Sequence, residues 1–145
     1  MDFAQTINYK IADLTTVHRV EMEKRLAPLG IHSGQIFIFF ELWNRDGLSQ
    51  VELASSLRLA PPTVNKMVKS LSDAGFVRME RSASDRRLVK VFLTEKGNSV
   101  RNEAEEIWKN FEADIVRHLT ETERLIFLQL LEKILLYFYK NPSED

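Results

Sequence analysis

The stretch Ala60-Pro61-Pro62-Thr63-Val64-Asn65-Lys66-Met67-Val68-Lys69-Ser70-Leu71-Ser72-Asp73-Ala74-Gly75 decides how the rest of the chain is read. Val64, Met67, Val68 and Leu71 recur at i, i+3, i+4 and i+7, which predicts one buried helical face. Two prolines suit the start of that helix, where an N–H would lack an intrahelical acceptor, and Gly75 suits its left-handed stop. Thr63, Asn65, Lys66 and Lys69 lie off the apolar stripe and are expected to face outward.

Immediately upstream, Ser49-Gln50-Val51-Glu52 has the form of a capping box and opens a short helix through Leu57. Only Arg58-Leu59-Ala60 separates it from Pro61, so the two helices form a helix-turn-helix candidate. Downstream the period changes to that of strands. Phe76 to Arg81 and Leu88 to Leu93 are rich in Val, Phe and other strand-compatible residues around the polar tip Ser82-Ala83-Ser84-Asp85-Arg86-Arg87, which predicts a β-hairpin.

The flanks read as helix. From Asp2 to Ala27 the residues Phe3, Ile7, Ile11, Leu14, His18, Met22 and Leu26 fall on one face of a single long helix. Pro28 and Gly30 break it, and Ser33 is the candidate cap of a largely buried helix from Gln35 to Trp43. Phe37, Phe39, Phe40, Trp43 and Trp108 are read as core. Asn44-Arg45-Asp46-Gly47 is a turn by composition. Thr94 can cap one further helix carrying Val100, Ala104, Ile107, Phe111, Ile115 and Leu119. Thr120-Glu121-Thr122-Glu123 is a second capping box, opening a last helix that reaches about Lys140 before Pro142.

That last helix is apolar nearly all round, from Leu125 to Tyr139, and such a helix is normally buried on several sides. A symmetric dimer with interleaved terminal helices would cover it. The expected fold is therefore mainly α (α+β): a winged helix-turn-helix with long N- and C-terminal dimerisation helices. Its expected parts are 1-32 as the N-terminal dimerisation helix, 33-94 as the winged helix-turn-helix domain and 95-145 as C-terminal dimerisation helices.

Composition narrows the function classes. The 145 residues are 44% hydrophobic and 28% charged, which is ordinary for a globular protein. Gln129, Glu132 and Lys133 interrupt the most apolar run, so no membrane span is expected. The N-terminus lacks the regions of a signal peptide, and a cytoplasmic location is expected. Without cysteine there is no disulfide, thiol switch or cysteine-ligated zinc. His32 and His118 are far apart and no HxxxH spacing occurs, so no metal and no cofactor is expected. With no GxSxG and no glycine-rich loop, an enzyme is not expected. The net charge of −1 hides a basic island: residues 60 to 94 carry seven basic and three acidic side chains, a net of +4 against −5 elsewhere.

Asp85-Arg86-Arg87 followed by Leu93-Thr94-Glu95-Lys96-Gly97, with Thr63 to Val77 before them, resembles the wing, the strand-to-helix junction and the recognition helix of the MarR (multiple antibiotic resistance regulator) family. Gln35 also falls where that family often has a glutamine. The similarity extends over essentially the whole chain. It implies a homodimeric, sequence-specific double-stranded DNA-binding transcriptional regulator of a palindromic operator, a repressor released by a small aromatic or amphipathic effector. A winged-helix module that docks proteins and not DNA is the alternative, and it calls for an apolar recognition face.

The site residues follow from that resemblance and from side-chain chemistry. Pro62, Thr63, Asn65, Lys66 and Lys69 form the recognition-helix set: Asn can pair with adenine, Thr with a base edge or thymine methyl, and Lys with guanine or phosphate. Arg87 matches the motif arginine that enters the minor groove. Asp85 is expected to hold the tip by bonding its backbone or an arginine, and an ion pair with Arg87 is expected. Ser49, Arg81, Ser84, Arg86 and Lys90 are expected phosphate contacts, which position without specifying. Because the family commonly has small polar residues where this chain has Ala60-Pro61-Pro62, base selection shifts toward Thr63 and Asn65. His18 is either a partly buried core or interface histidine, the commoner case, or a ligand group of an effector pocket expected near His18, Phe40 and Trp43.

Overall fold

The computed structural model describes residues 2–141. Seven α-helices and three strands follow one another in chain order: α1 (Ile7–Leu26), α2 (Ile36–Asn44), β1 (Leu48–Ser49), α3 (Gln50–Leu57), α4 (Pro61–Asp73), β2 (Val77–Arg81), β3 (Val89–Leu93), α5 (Glu95–Ser99), α6 (Arg101–Val116) and α7 (Glu121–Lys140). The chain forms two compact units, Met1–Ile107 and Trp108–Asp145.

In the first unit, the expected single helix from Asp2 is instead a 3-10 turn, Phe3–Gln5, followed by α1. The reason is Thr6: its hydroxyl accepts the Tyr9 amide at 3.3 Å and its backbone is extended, so a new helix begins at Ile7. Of the predicted apolar face only Met22 and Leu26 are buried; Phe3, Ile7, Ile11 and Leu14 stand exposed on the single chain. Ser33 does not cap α2. Its amide donates to Glu23 Oε2 at 2.7 Å, and Gln35 occupies the cap position without a capping side-chain bond. Ile36, Ile38, Phe39 and Leu42 of α2 are buried as expected, but Phe37 is 42% exposed, because five consecutive apolar residues cannot all face inward on a helix.

The core gathers α2, α3, α4 and the sheet. Phe39 and Phe76 meet edge to face at 5.5 Å, both fully buried with Leu53, Val64, Val68 and Val91. The Ser49/Glu52 box is complete: the Ser49 hydroxyl accepts the Glu52 amide at 3.1 Å, and Glu52 Oε2 accepts the Ser49 amide at 2.7 Å. That amide holds the Glu52 carboxyl below its ordinary value. The hairpin pairs Val77 with Leu93 through Arg81 with Val89. A short third strand, unforeseen because two residues carry no periodicity, adds β1 to the far side of β3 with Leu48 opposite Val91 and Ser49 opposite Lys90.

Beyond the sheet, the one helix expected after Thr94 is divided at Val100 into α5 and α6. Thr94 does cap α5, accepting the Gly97 amide at 3.1 Å. In the second unit, the Thr120/Glu123 box opens α7 as predicted, and Pro142, its expected stop, lies outside the described residues. No residue of α7 is buried: Leu128 is 54% and Phe138 60% exposed. Among the described residues no helix is long and apolar enough to cross a membrane.

Candidate nucleic-acid interface

Helix α4 follows α3 after the three-residue turn Arg58-Leu59-Ala60, in which Arg58 adopts a left-handed conformation (φ 54°). Pro61 and Pro62 take the first two helical positions and have no N–H to offer. The next two amides, of Thr63 and Val64, both donate to Ala60 O, at 2.9 and 3.2 Å. The first turn of α4 therefore presents no free amide to a phosphate, and what it can recognise is set by side chains. Pro62, Thr63, Asn65, Lys66 and Lys69 are all exposed, while Val64, Val68 and Leu71 are buried and Met67 is half-buried. Lys69 Nζ lies 3.0 Å from Asp73 Oδ2 on the solvent side, a surface pair weak enough for a phosphate to displace.

The wing is ordered by its own backbone. Ser82 N donates to Leu88 O at 2.9 Å and Leu88 N to Asp85 O at 3.0 Å. Arg81 Nη1 reaches Arg86 O at 3.1 Å, and the Ser82 and Ser84 hydroxyls lie 3.0 Å apart. Asp85 holds the tip through its backbone, one of the two expected partners, and without the expected ion pair: Oδ1 accepts the Arg87 backbone amide at 2.9 Å. A short acidic side chain bonds a backbone two residues on more readily than it reaches a long guanidinium, as in other Asx turns. Arg86 and Arg87 are exposed, and among the described residues no carboxylate pairs with Arg87. Lys90, half-buried, stands on the central strand opposite Glu80 and Ser49. With Arg81, Ser84 and Phe92 it lines a surface cavity of about 350 Å³.

Ser49 is placed differently from the other candidates. It is 4% exposed and its hydroxyl is committed to the capping box, so burial and an existing partner keep it from presenting to a phosphate. Arg78, part of the basic island, is also engaged, pairing with Glu80 and lying over the Phe92 ring at 4.6 Å.

The structure brings Phe40 and Trp43 together, half-buried with ring centroids 6.0 Å apart, and Trp43 Nε1 donates to Gly97 O at 3.2 Å. His18 stands half-buried on α1. A cavity of about 390 Å³ behind α4 is lined by none of these three, but by His32, Gly34, Gln35, Lys66, Met67 and Ser70. Gln35 is buried there; its Oε1 accepts the His32 amide at 2.9 Å and its Nε2 donates to Ser70 Oγ at 3.1 Å, pinning α4 to the start of α2. Residue pattern alone gave no sign of that bond. Among the described residues no three His, Asp or Glu side chains form a metal-sized group.

A paired helix presenting polar side chains beside an arginine-tipped hairpin defines a winged helix-turn-helix DNA-binding protein. The model of the MarR family matches residues 31–89. A helix-turn-helix transcriptional repressor of Mycobacterium tuberculosis is 29% identical over 128 residues, covering 88% of this chain and 92% of the relative. The crystal structure of a MarR transcriptional regulator from Methanosarcina mazei superposes with a TM-score of 0.84 at 28% identity, covering 92% of this chain and 96% of that one. The DNA complex of MepR from Staphylococcus aureus superposes with 0.81 at 22%, covering 94% and 99%, a likeness of fold. The family match over residues 31–89 and these relatives support a DNA-binding transcriptional regulator similar to the MarR family.

Proposed function

We propose that the chain is a homodimeric repressor of a palindromic double-stranded DNA operator, released by a small aromatic or amphipathic effector. The observation that carries the reading is the polar outward face of α4, Thr63, Asn65, Lys66 and Lys69, on the same module as the exposed Arg86 and Arg87. Thr63 and Asn65 would read base edges in the major groove, Lys66 and Lys69 would meet guanine or phosphate, and Arg87 would enter the flanking minor groove. Arg81, Ser84, Arg86 and Lys90 would fix the register on the backbone. A protein-docking winged helix would need an apolar face at α4, and these side chains are polar.

Dimerisation through the segments 1–32 and 95–145 is supported by the unburied apolar surface of α1 and α7. Effector release is supported by the aromatic cluster of α2, where Phe37 is exposed and Phe40 and Trp43 are half-buried. The test is selection of bound fragments from the host genome at a fixed salt concentration. Recovery of a shared palindromic site supports the reading, and enrichment no better than shuffled DNA overturns it. A thermal-shift screen of aromatic acids follows on the selected site. Ligands that stabilise the protein and weaken its DNA binding support the coupling; stabilising ligands that leave binding unchanged contradict it.

A further inference from the structure

We infer that Lys96 is a positioning residue for DNA binding, the latch that holds the recognition helix and the wing as one rigid body without itself touching DNA. The last turn of α4 and the root of β2 leave three consecutive carbonyls at Ala74, Gly75 and Phe76, and the four residues Thr94 to Gly97 satisfy all of them. Lys96 Nζ donates to Ala74 O at 2.7 Å. The Thr94 hydroxyl donates to Gly75 O at 2.6 Å and shares its proton with Phe76 O at 3.0 Å, while the Thr94 amide also donates to Phe76 O at 3.0 Å. A helix C-terminus favours a cation, and Lys96 supplies it at the end of α4.

The same ammonium lies 4.2 Å from the centroid of the buried Phe76 ring. Among the described residues no carboxylate pairs with Lys96, so its charge is spent on the carbonyl and the ring. The segment carrying it is itself anchored, since Gly97 O accepts Trp43 Nε1 from α2. One short stretch at the exit of β3 thus ties together the end of the recognition helix, the entry of β2 and the core.

The consequence for DNA is leverage. Each wing strand has five residues, ~16 Å at ~3.3 Å per residue, so a tilt of ~10° at the root moves the tip by ~3 Å. A displacement of that size takes a guanidinium out of a minor groove. The apparent affinity falls in proportion to the population in which helix and wing are aligned.

This inference rests on the wing reading above, so the experiment carries Arg87→Ala in parallel. Full-length parent, Lys96→Met, Lys96→Gln, Lys96→Arg and Arg87→Ala are titrated against the genome-selected operator with A·T-rich or G·C-rich flanks over a series of salt concentrations. Lys96→Met and Lys96→Gln keep a stem of similar length without the charge. They are expected to bind roughly three- to tenfold more weakly at every salt concentration, with the parent's salt slope and reduced flank discrimination, and Lys96→Arg to recover most of the loss. Amide exchange at Gly75 and Phe76 is expected to quicken. Parent affinity in both uncharged variants overturns the inference, and so does a slope flattened by about 0.9, the mark of a lost phosphate contact. A loss fully explained by the unfolded fraction at the assay temperature also overturns it. If Arg87→Ala leaves flank discrimination intact, the wing reading fails separately, and weaker binding of Lys96→Met at constant slope still decides the role of Lys96 in setting α4.

Discussion

Asp85 Oδ1 accepts the backbone amide of Arg87 at 2.9 Å, so the wing's carboxylate shapes the turn and leaves the guanidinium beside it uncommitted. Arg87→Ala is therefore expected to keep the fold, since it removes an exposed side chain while the Asp85 contact to the amide persists. Specific binding should drop, most on sites with A·T-rich flanks. Asp85→Ala should give a smaller loss on the same sites, because it loosens the turn but keeps the cation. Competition between flank-substituted operators measures both, and equal binding of every site by Arg87→Ala would remove the wing from the interface.

Lys69 and Lys90 are expected to act on the salt dependence. Each phosphate contact contributes about −0.9 to the slope of log K against log salt, so Lys69→Ala or Lys90→Ala should flatten it by up to about one unit per subunit. Ser49→Ala should behave otherwise. With its hydroxyl committed to the Glu52 amide, its loss is expected to cost ~1 kcal/mol of stability and leave the slope unchanged. Binding isotherms at four or five salt concentrations separate the three variants.

The apolar surface of α7 gives the oligomer prediction. Leu128 and Phe138 are more than half exposed on the single chain, and a surface of this kind rarely stays in water. Sedimentation at micromolar concentration is expected to give twice the chain mass. Leu128→Glu is expected to dissociate the dimer or unfold the chain, and a well-folded parent monomer would rule out the interleaved-helix arrangement.

Acid should weaken the capping boxes. Glu52 is held below its usual value of 4.5 chiefly by the Ser49 amide, and Glu123 likewise by the Thr120 amide. A carboxyl lowered in the folded state contributes its full stability above the unfolded value and loses it as pH falls through the folded one. Glu52→Gln is thus expected to melt below the parent at neutral pH, with the gap narrowing as pH drops below about 4.5. A gap that stays constant down to about pH 3 would show that the carboxylate charge contributes nothing.

The helix-turn-helix and hairpin were legible because their signals are local: the period of Val64, Val68 and Leu71, the Ser49/Glu52 spacing, the prolines before the helix and Gly75 after it. What escaped the sequence depends on chain segments far apart. Pairing of Leu48 with Val91, the bond from Gln35 to Ser70 and the seat of Lys96 on Ala74 each join residues more than 20 positions apart. Competing local bonds account for other differences. Thr6 accepts an amide and starts a new helix, Ser33 bonds Glu23 and not its own helix, and Asp85 bonds the Arg87 amide and not its guanidinium. Ser49 has the residue type of a phosphate ligand. Only the fold shows it buried.

Gly97 and Gly34 give the sharpest contrast among single substitutions to alanine. At Gly97 an added Cβ would lie 2.2 Å from Phe76 O and 3.1 Å from a Leu93 methyl, and the first of these is backbone fixed by the Thr94 amide. Neither side can yield without opening the junction between β3 and α5, so the gain of ~1 kcal/mol that alanine normally brings to a helix is overwhelmed. At Gly34 the nearest atom is the flexible end of Met67 at 3.5 Å, an ordinary contact. Gly34→Ala is expected to change stability by less than ~0.5 kcal/mol, and Gly97→Ala to cost more than ~2 kcal/mol. Urea titration of the two proteins tests this. If Gly97→Ala unfolds at the parent's midpoint, the close approach of α5 to the root of the wing is wrong, and the seat of Lys96 on Ala74 is wrong with it.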